Sequence, residues 1–268
     1  MSDVATMELG EGPAVLLVHG LNGFKEGWGP LPRALADGGH RVIAVDLPGF
    51  GASRRLRRTG PETLAEALGP LVERHAPVDV VAHPLGPQVA TPLAAGQPAR
   101  VRRVALVSPW VTARPRRLPP RRVSDVLQLP LVGRPLGRLA IGRMRRDPER
   151  RRQAYRAAIA HPDRLAGDPG MAALLELAAD RLVDADLHAM ADWAASGMAY
   201  DVRPLAARMM QPALVVGGDR DRVTPVEGAL RLVSVLPGGR MLRLPGVGHF
   251  PHLEAPDAVL PAIAGHLA

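Results

Sequence analysis

The sequence predicts an α/β protein: a mostly parallel sheet with helices on both faces, interrupted by a helical insertion. Three observations carry this reading. Short apolar runs ending in turn residues recur along the chain, segments with apolar residues at helical spacing separate them, and one long interval breaks the alternation. The runs are "AVLLVHG" (14–20), "RVIAVDLPG" (41–49), "VDVVAH" (78–83), "RVALVS" (103–108), "ALVVGG" (213–218) and "RMLRLPG" (240–246). Continuous rather than alternating hydrophobicity marks strands buried on both faces, the signature of a parallel sheet covered on each side.

Between the strands, "LPRALADGG", "PETLAEALGPLVERHA" and "EGALRLVSVLPGG" read as helices that stop near glycine or proline. The interval from about Trp110 to Pro204 is rich in arginine and proline, then helical in "DPERRRQAYRAAIA" and "GMAALLELAADRLVDADLHAMADWAASG". It contains no strand pattern. This divides the chain into a core of residues 1–109 and 205–268 and an Arg-rich helical cap of residues 110–204, expected over the carboxyl edge of the sheet, where open α/β folds bind ligands.

The chain has 268 residues, 47% of them hydrophobic, enough for one large core. It lacks an apolar stretch of membrane-spanning length, and "MSDVATMELG" lacks the basic start and apolar centre of a signal peptide, so a cytoplasmic protein without a membrane partner is expected. The absence of cysteine excludes disulfides, thiolate metal sites and a cysteine nucleophile. No metal site and no cofactor is expected. The net charge of +8 is carried by arginine apart from Lys25, in "RRLRR" (54–58) and in "RPRRLPPRR" and "GRMRRDPERRRQ" of the cap. Such a field attracts anions. With 3% aromatic residues and no binding motif, nucleic acid is not the expected partner; an anionic small substrate, or one borne on an acidic carrier protein, is.

Five motifs in fixed order, "LLVHGLNGFKEGW", "VIAVDLPGFGAS", "VDVVAHPLGPQVA", "ALVVGGDRDRVTP" and "LPGVGHFPHLEAPD", resemble the α/β-hydrolase superfamily along nearly the whole chain outside the insertion. The resemblance implies a core sheet with a cap and a nucleophile–acid–histidine triad in that chain order. By position, Asp221 matches the acid, ahead of Asp219, and His249 the base. The superfamily's elbow, roughly G-H-S-x-G-G, reads Ala82-His83-Pro84-Leu85-Gly86-Pro87 here. Pro84 carries no hydroxyl and is locked near φ of about −65°, so nucleophile and strained turn are lost together. Pro84 and Pro87 suit a relaxed helix start, and Pro92 removes a further helical hydrogen bond.

The resemblance also places oxyanion-type donors at the amides of Leu21 or Asn22 and of Leu85. Ser108, at the end of its strand, is the best substitute nucleophile, ahead of Thr91 and Thr224. Its plainer role is a turn residue before Pro109. Asp46 and its neighbouring glycines shape a loop. Candidate substrate contacts are His83, Phe24, Trp28, Ser108, Trp110, Trp193 and Tyr200, with Tyr155 beside them; packing of cap on core explains each aromatic equally well.

Three functions stay open on these residues. One is an enzyme in which His249 moves a proton in an epimerisation, cyclisation or elimination on a small natural-product intermediate or peptide. The others are a hydrolase using His-activated water or a displaced nucleophile, and an inactive binding or regulatory protein. The short "MELGEGP" before the first motif strand suggests one or two absent edge strands and a free edge for homodimerisation.

Overall fold

The computed structural model describes residues 4–111, 133–181 and 184–268. The Arg/Pro-rich stretch "RPRRLPPRR" lies outside them.

Among the described residues, seven strands form one sheet: β1 Thr6–Leu9, β2 Ala14–Val18, β3 Arg41–Val45, β4 Val78–Ala82, β5 Val101–Val107, β6 Ala213–Gly218 and β7 Arg240–Leu244. Their spatial order is β1-β3-β2-β4-β5-β6-β7, all parallel except β1, which runs antiparallel to β3. The six apolar runs are thus the six parallel strands. The seventh, β1, has no such run: "TMEL" is only partly buried and is held by pairing with β3 (Thr6 opposite Val45, Leu9 opposite Val42).

The alternation of a pleated strand divides the core into two layers. Leu16 and Val18 pack in a cluster with Leu64 and Leu68 of α2 (Pro61–His75) and Val89 and Leu93 of α3 (Pro87–Gly96). Val15 and Leu17 pack on the opposite face against Leu31 and Leu35 of α1 (Leu31–Asp37) and Val259 and Ile263 near the C-terminus. All of these side chains are fully buried or nearly so. At about 25 cal/mol per Å² of apolar surface, each large aliphatic side chain contributes roughly 1.5–3 kcal/mol.

Between β5 and β6 the described chain is helical: α4 Gly133–Arg145, α5 Pro148–Ala158, α6 Pro162–Ala166, α7 Pro169–Arg181, α8 Leu187–Ala199 and α9 Arg203–Ala206. Asp147 caps α5 by accepting from the Arg150 amide, and Asp186 caps α8 by accepting from the His188 and Ala189 amides. After β6 come α10 Val226–Val233, then, beyond β7, α11 Pro251–Glu254 and α12 Pro256–Leu267. Several cap arginines are spent on neighbouring carboxylates, Arg152 with Glu176 at 2.7 Å and Arg150 with Asp147 at 3.0 Å. These exposed pairs contribute little to stability but neutralise part of the basic face.

Candidate active site

The carboxyl ends of β2, β4, β5 and β6 deliver the loops that meet beneath the cap. The loop after β6 turns on Asp221, whose Oδ1 accepts from the amides of Val223 and Thr224, both at 2.8 Å. Its Oδ2 accepts from the Thr224 hydroxyl at 2.6 Å and from His249 Nδ1 at 2.9 Å. Burial alone would raise this carboxyl; the bonds from His249 and Thr224 outweigh it and hold Asp221 below the usual carboxylate range. Asp219 instead accepts from the Gly246 amide at 2.7 Å and ties its loop to the next. The acid that meets the histidine is Asp221.

With Nδ1 bonded to the carboxylate, His249 keeps Nε2 as its basic nitrogen. The His249 loop is fixed from several directions. The His249 amide donates to Ala158 O at the end of α5, at 3.0 Å. Glu254 accepts from the amides of Gly248, Phe250 and Ala160 at 2.9, 3.0 and 2.8 Å, joining both sides of His249 to the cap. Gly248 is required in this junction, since a Cβ there would lie 2.6 Å from Ala160 N. His83 Nε2 donates to His249 O at 2.7 Å.

His249 lines a cavity of about 300 Å³ with the first loop, the β4 turn and the cap. Leu21, Asn22, Phe24 and Trp28 form one wall, His83, Pro84 and Leu85 the floor, and Met144, Tyr155, Leu174 and Leu175 the cap side, with Trp110, Thr224, Phe250 and His252 completing the lining. The lining is mostly apolar. The Tyr155 hydroxyl donates to Asn22 O at 2.7 Å, so α5 grips the first loop directly, and burial raises its pKa. Asn22 has φ of 63°, a left-handed conformation that asparagine tolerates better than most side chains.

At the elbow, Pro84 follows β4 and Pro87 occupies the first turn of α3, as expected of a proline-led helix. Pro84 is not among the residues with positive φ. Its ring lies where a Cβ on Gly20 would be, so the first loop approaches the floor through a glycine. Pro92 sits inside α3, whose residues remain helical around it.

The structure separates three predicted contacts from this cavity. Trp193 is fully buried in the core, its ring 5.4 Å from Phe50, because α8 turns that face to the sheet. Tyr200 ends α8 and packs against the same cluster, with burial and then Glu62 raising its pKa. Ser108 does not line the cavity either: it is buried, its carbonyl lies 3.0 Å from the Thr224 hydroxyl that bonds Asp221 more closely, and its own hydroxyl has no partner among the described residues. Its φ of 45° adds a second left-handed residue to Asn22 in this region, at the end of β5 rather than at the elbow.

Two contributors, His19 and His252, carried no signal in the sequence, and Thr224 figures there only as a lesser substitute for the nucleophile. His19 donates from Nδ1 to Gly20 O at 2.7 Å and accepts at Nε2 from the Leu47 amide at 2.9 Å; burial lowers its pKa to about 4. His252, two residues after Phe250, packs its ring 5.1 Å from His83 and 5.4 Å from Trp28, and burial lowers it to about 3. Thr224 holds the acid. Below the first loop, Asp46 accepts from Lys25 N, Lys25 Nζ and the Ala52 amide at 2.8, 2.8 and 2.9 Å. This confirms its loop-shaping place. Among the described residues no His, Asp and Glu cluster has metal-holding geometry, and no helix is long and apolar enough to cross a membrane.

A parallel sheet under a helical cap, with an acid after β6 bonded to a histidine after β7, defines an α/β protein of hydrolase architecture. The chain belongs to the alpha/beta hydrolase family, whose model matches residues 15–262. It is 26% identical over 254 residues to a pyrrolizixenacetamide deacetylase of Xenorhabdus hominickii, covering 92% of this chain and 88% of that protein. It is 28% identical to a pimeloyl-[acyl-carrier protein] methyl ester esterase of Chromobacterium violaceum, covering 97% and 96%. In fold it is similar to an esterase from Exiguobacterium antarcticum (TM-score 0.83, 18% identity, 99% and 96% covered). It is also similar to an enol-lactonase from Burkholderia xenovorans LB400 (TM-score 0.77, 22% identity, 98% and 96% covered).

Proposed function

We propose that this chain is an enzyme that uses the Asp221–His249 pair as a general base on a small substrate without forming an acyl-enzyme. One observation carries the reading: the pair is intact against the cavity while the elbow position is Pro84. A carboxylate on Nδ1 orients the imidazole and stabilises the imidazolium that forms when Nε2 takes a proton. Neither effect needs a serine. Losing the nucleophile from such a triad costs several orders of magnitude in acyl transfer, which favours proton transfer on the substrate itself: epimerisation, cyclisation or elimination. The amides of Leu85 and of Leu21 or Asn22 flank the same space and are assigned to the oxygen that gains charge.

The second reading is hydrolysis by water that His249 activates, and the relatives named as deacetylase and esterase favour it. The substrate is small and largely apolar where it enters the cavity. Arg143 and Arg145 flank Met144, a lining residue, and favour an anionic or carrier-borne portion outside.

The test pairs two assays on the wild type, His249→Ala and Pro84→Ser. Solvent deuterium wash-in to a β-diketone reports proton transfer, and a panel of nitrophenyl esters reports hydrolysis. Wash-in that vanishes in His249→Ala, without ester turnover, supports the first reading; ester turnover that vanishes in the same variant selects the second. Wild-type-like behaviour of His249→Ala in both overturns the general-base assignment.

A further inference from the structure

The Thr224 hydroxyl joins the acid loop after β6, the His249 loop after β7 and the end of β5. Its oxygen is 2.6 Å from Asp221 Oδ2, 3.0 Å from Ser108 O and 3.2 Å from His249 Nδ1. Ser108, Asp221, Thr224 and His249 are all buried, so water competes little for these bonds. The other carboxylate oxygen, Oδ1, is fixed by the backbone amides of Val223 and Thr224. The placement of Oδ2 rests instead on two side chains, His249 and Thr224.

A hydroxyl has one proton to give, and carboxylate and carbonyl oxygens only accept. The 2.6 Å contact has the length of a charge-assisted O–H···O⁻ bond, so the proton points to Asp221. The threonine oxygen then turns a lone pair toward His249. With its proton on Nδ1, the imidazole donates to Oδ2 at 2.9 Å and meets the threonine oxygen as a second acceptor. With the proton on Nε2 instead, the Nδ1 lone pair faces a carboxylate oxygen and a hydroxyl oxygen at once. Turning the hydroxyl toward Nδ1 relieves one of these clashes but leaves a threonine lone pair against Oδ2 at 2.6 Å. One proton cannot satisfy both contacts. The hydroxyl therefore adds to the cost that the carboxylate alone imposes on this tautomer.

We infer that Thr224 is a positioning residue for the base: its hydroxyl holds Asp221 Oδ2 against His249 Nδ1 and locks the tautomer that leaves Nε2 open to take a proton. The inference rests on His249 acting as the base, and it adds how that base is kept ready. Threonine suits the place because branching at Cβ stiffens χ1, which aims a buried hydroxyl instead of letting it swing. The Ser108 carbonyl, 3.0 Å away, ties the same hydroxyl to the end of β5. Valine has nearly the shape of threonine without the hydroxyl, and serine has the hydroxyl without the second branch. Substitution by each separates hydrogen bonding from packing.

The experiment reads the tautomer directly, so it stands apart from any turnover assay. The full chain is labelled with ¹⁵N-histidine and its side-chain signals are recorded at about pH 9, where imidazoles are neutral. The His249 signals are those missing from His249→Ala. In the wild type, Nδ1 is expected at the shift of a protonated nitrogen and Nε2 at that of an unprotonated one. Thr224→Val and Thr224→Ala are expected to raise the Nε2-protonated fraction about tenfold, the effect of losing one hydrogen bond to a charged acceptor. Thr224→Ser is expected to stay close to the wild type. Each variant is first checked for an unchanged backbone amide spectrum, and two hydroxyl-free variants guard against one failing to fold. A wild-type tautomer ratio in the hydroxyl-free variants overturns the inference. So does a Thr224→Ser ratio equal to that of Thr224→Val, since packing would then set the tautomer. A tautomer that depends on Thr224, without His249-dependent turnover, overturns only the proposed reaction.

Discussion

Acid should destabilise this protein through histidines that fold neutral. His19 and His252 are buried and lowered to about 4 and about 3, against an ordinary 6.5, and His83 is lowered in the same direction. A group whose folded pKa lies below its unfolded one takes up its proton only on unfolding, so its contribution is complete above 6.5 and is lost as pH falls toward the folded value. Between about pH 7 and about pH 5 the unfolded chain gains most of a proton at each site while the folded chain gains almost none. That costs roughly 2 kcal/mol for His19 and roughly 2 kcal/mol for His252. His83 adds in the same sense. The assay is urea unfolding at both pH values, on the wild type and His252→Phe. The wild type should lose at least about 4 kcal/mol, and the variant about 2 kcal/mol less. Equal losses in both proteins would refute the reasoning, since the lowered histidine would then contribute nothing to the acid response.

Removing the acid should matter more for chemistry than for folding. Asp221→Asn should lower His249-dependent turnover by about 10⁴, by analogy with loss of the orienting carboxylate in serine-protease triads. Steady-state rates check this. In Glu254→Ala the amides of Gly248, Phe250 and Ala160 lose their common acceptor; a loss of about 2–4 kcal/mol in urea unfolding is expected, together with faster hydrogen exchange at those amides. Gly20→Ala drives a methyl into the Pro84 ring and should destabilise the chain by about 1–3 kcal/mol, visible in thermal melts. Ser108→Gly relieves a left-handed φ and removes an unpartnered hydroxyl; it should stay within about 1 kcal/mol of wild type and retain turnover, whereas loss of turnover would return Ser108 to the chemistry.

The six parallel strands were readable because burial on both faces leaves a continuous apolar run, and the following turn residues place their ends. β1 was not, since an edge strand of four partly buried residues owes its conformation to its neighbour. Asp221 and His249 were readable from motif position, and 2.9 Å now separates Oδ2 from Nδ1. Aromatic side chains were less informative. Phe24, Trp28 and Trp110 reach the cavity, whereas Trp193 and Tyr200 turn to the core, because residue type alone does not say which face of a cap helix meets the sheet. His252 was invisible for a related reason: its role depends on how α11 folds back onto Trp28 and His83 from distant parts of the chain.

The central claim is chemistry at His249 without a covalent acyl intermediate. Intact-mass measurement after incubation with an activated nitrophenyl ester, and separately with a fluorophosphonate, tests it most directly when run beside the deuterium wash-in and ester assays. Unmodified wild-type protein is expected in both incubations, together with turnover that disappears in His249→Ala. A stoichiometric acyl or phosphonyl adduct on a wild-type hydroxyl, lost in His249→Ala, would contradict it.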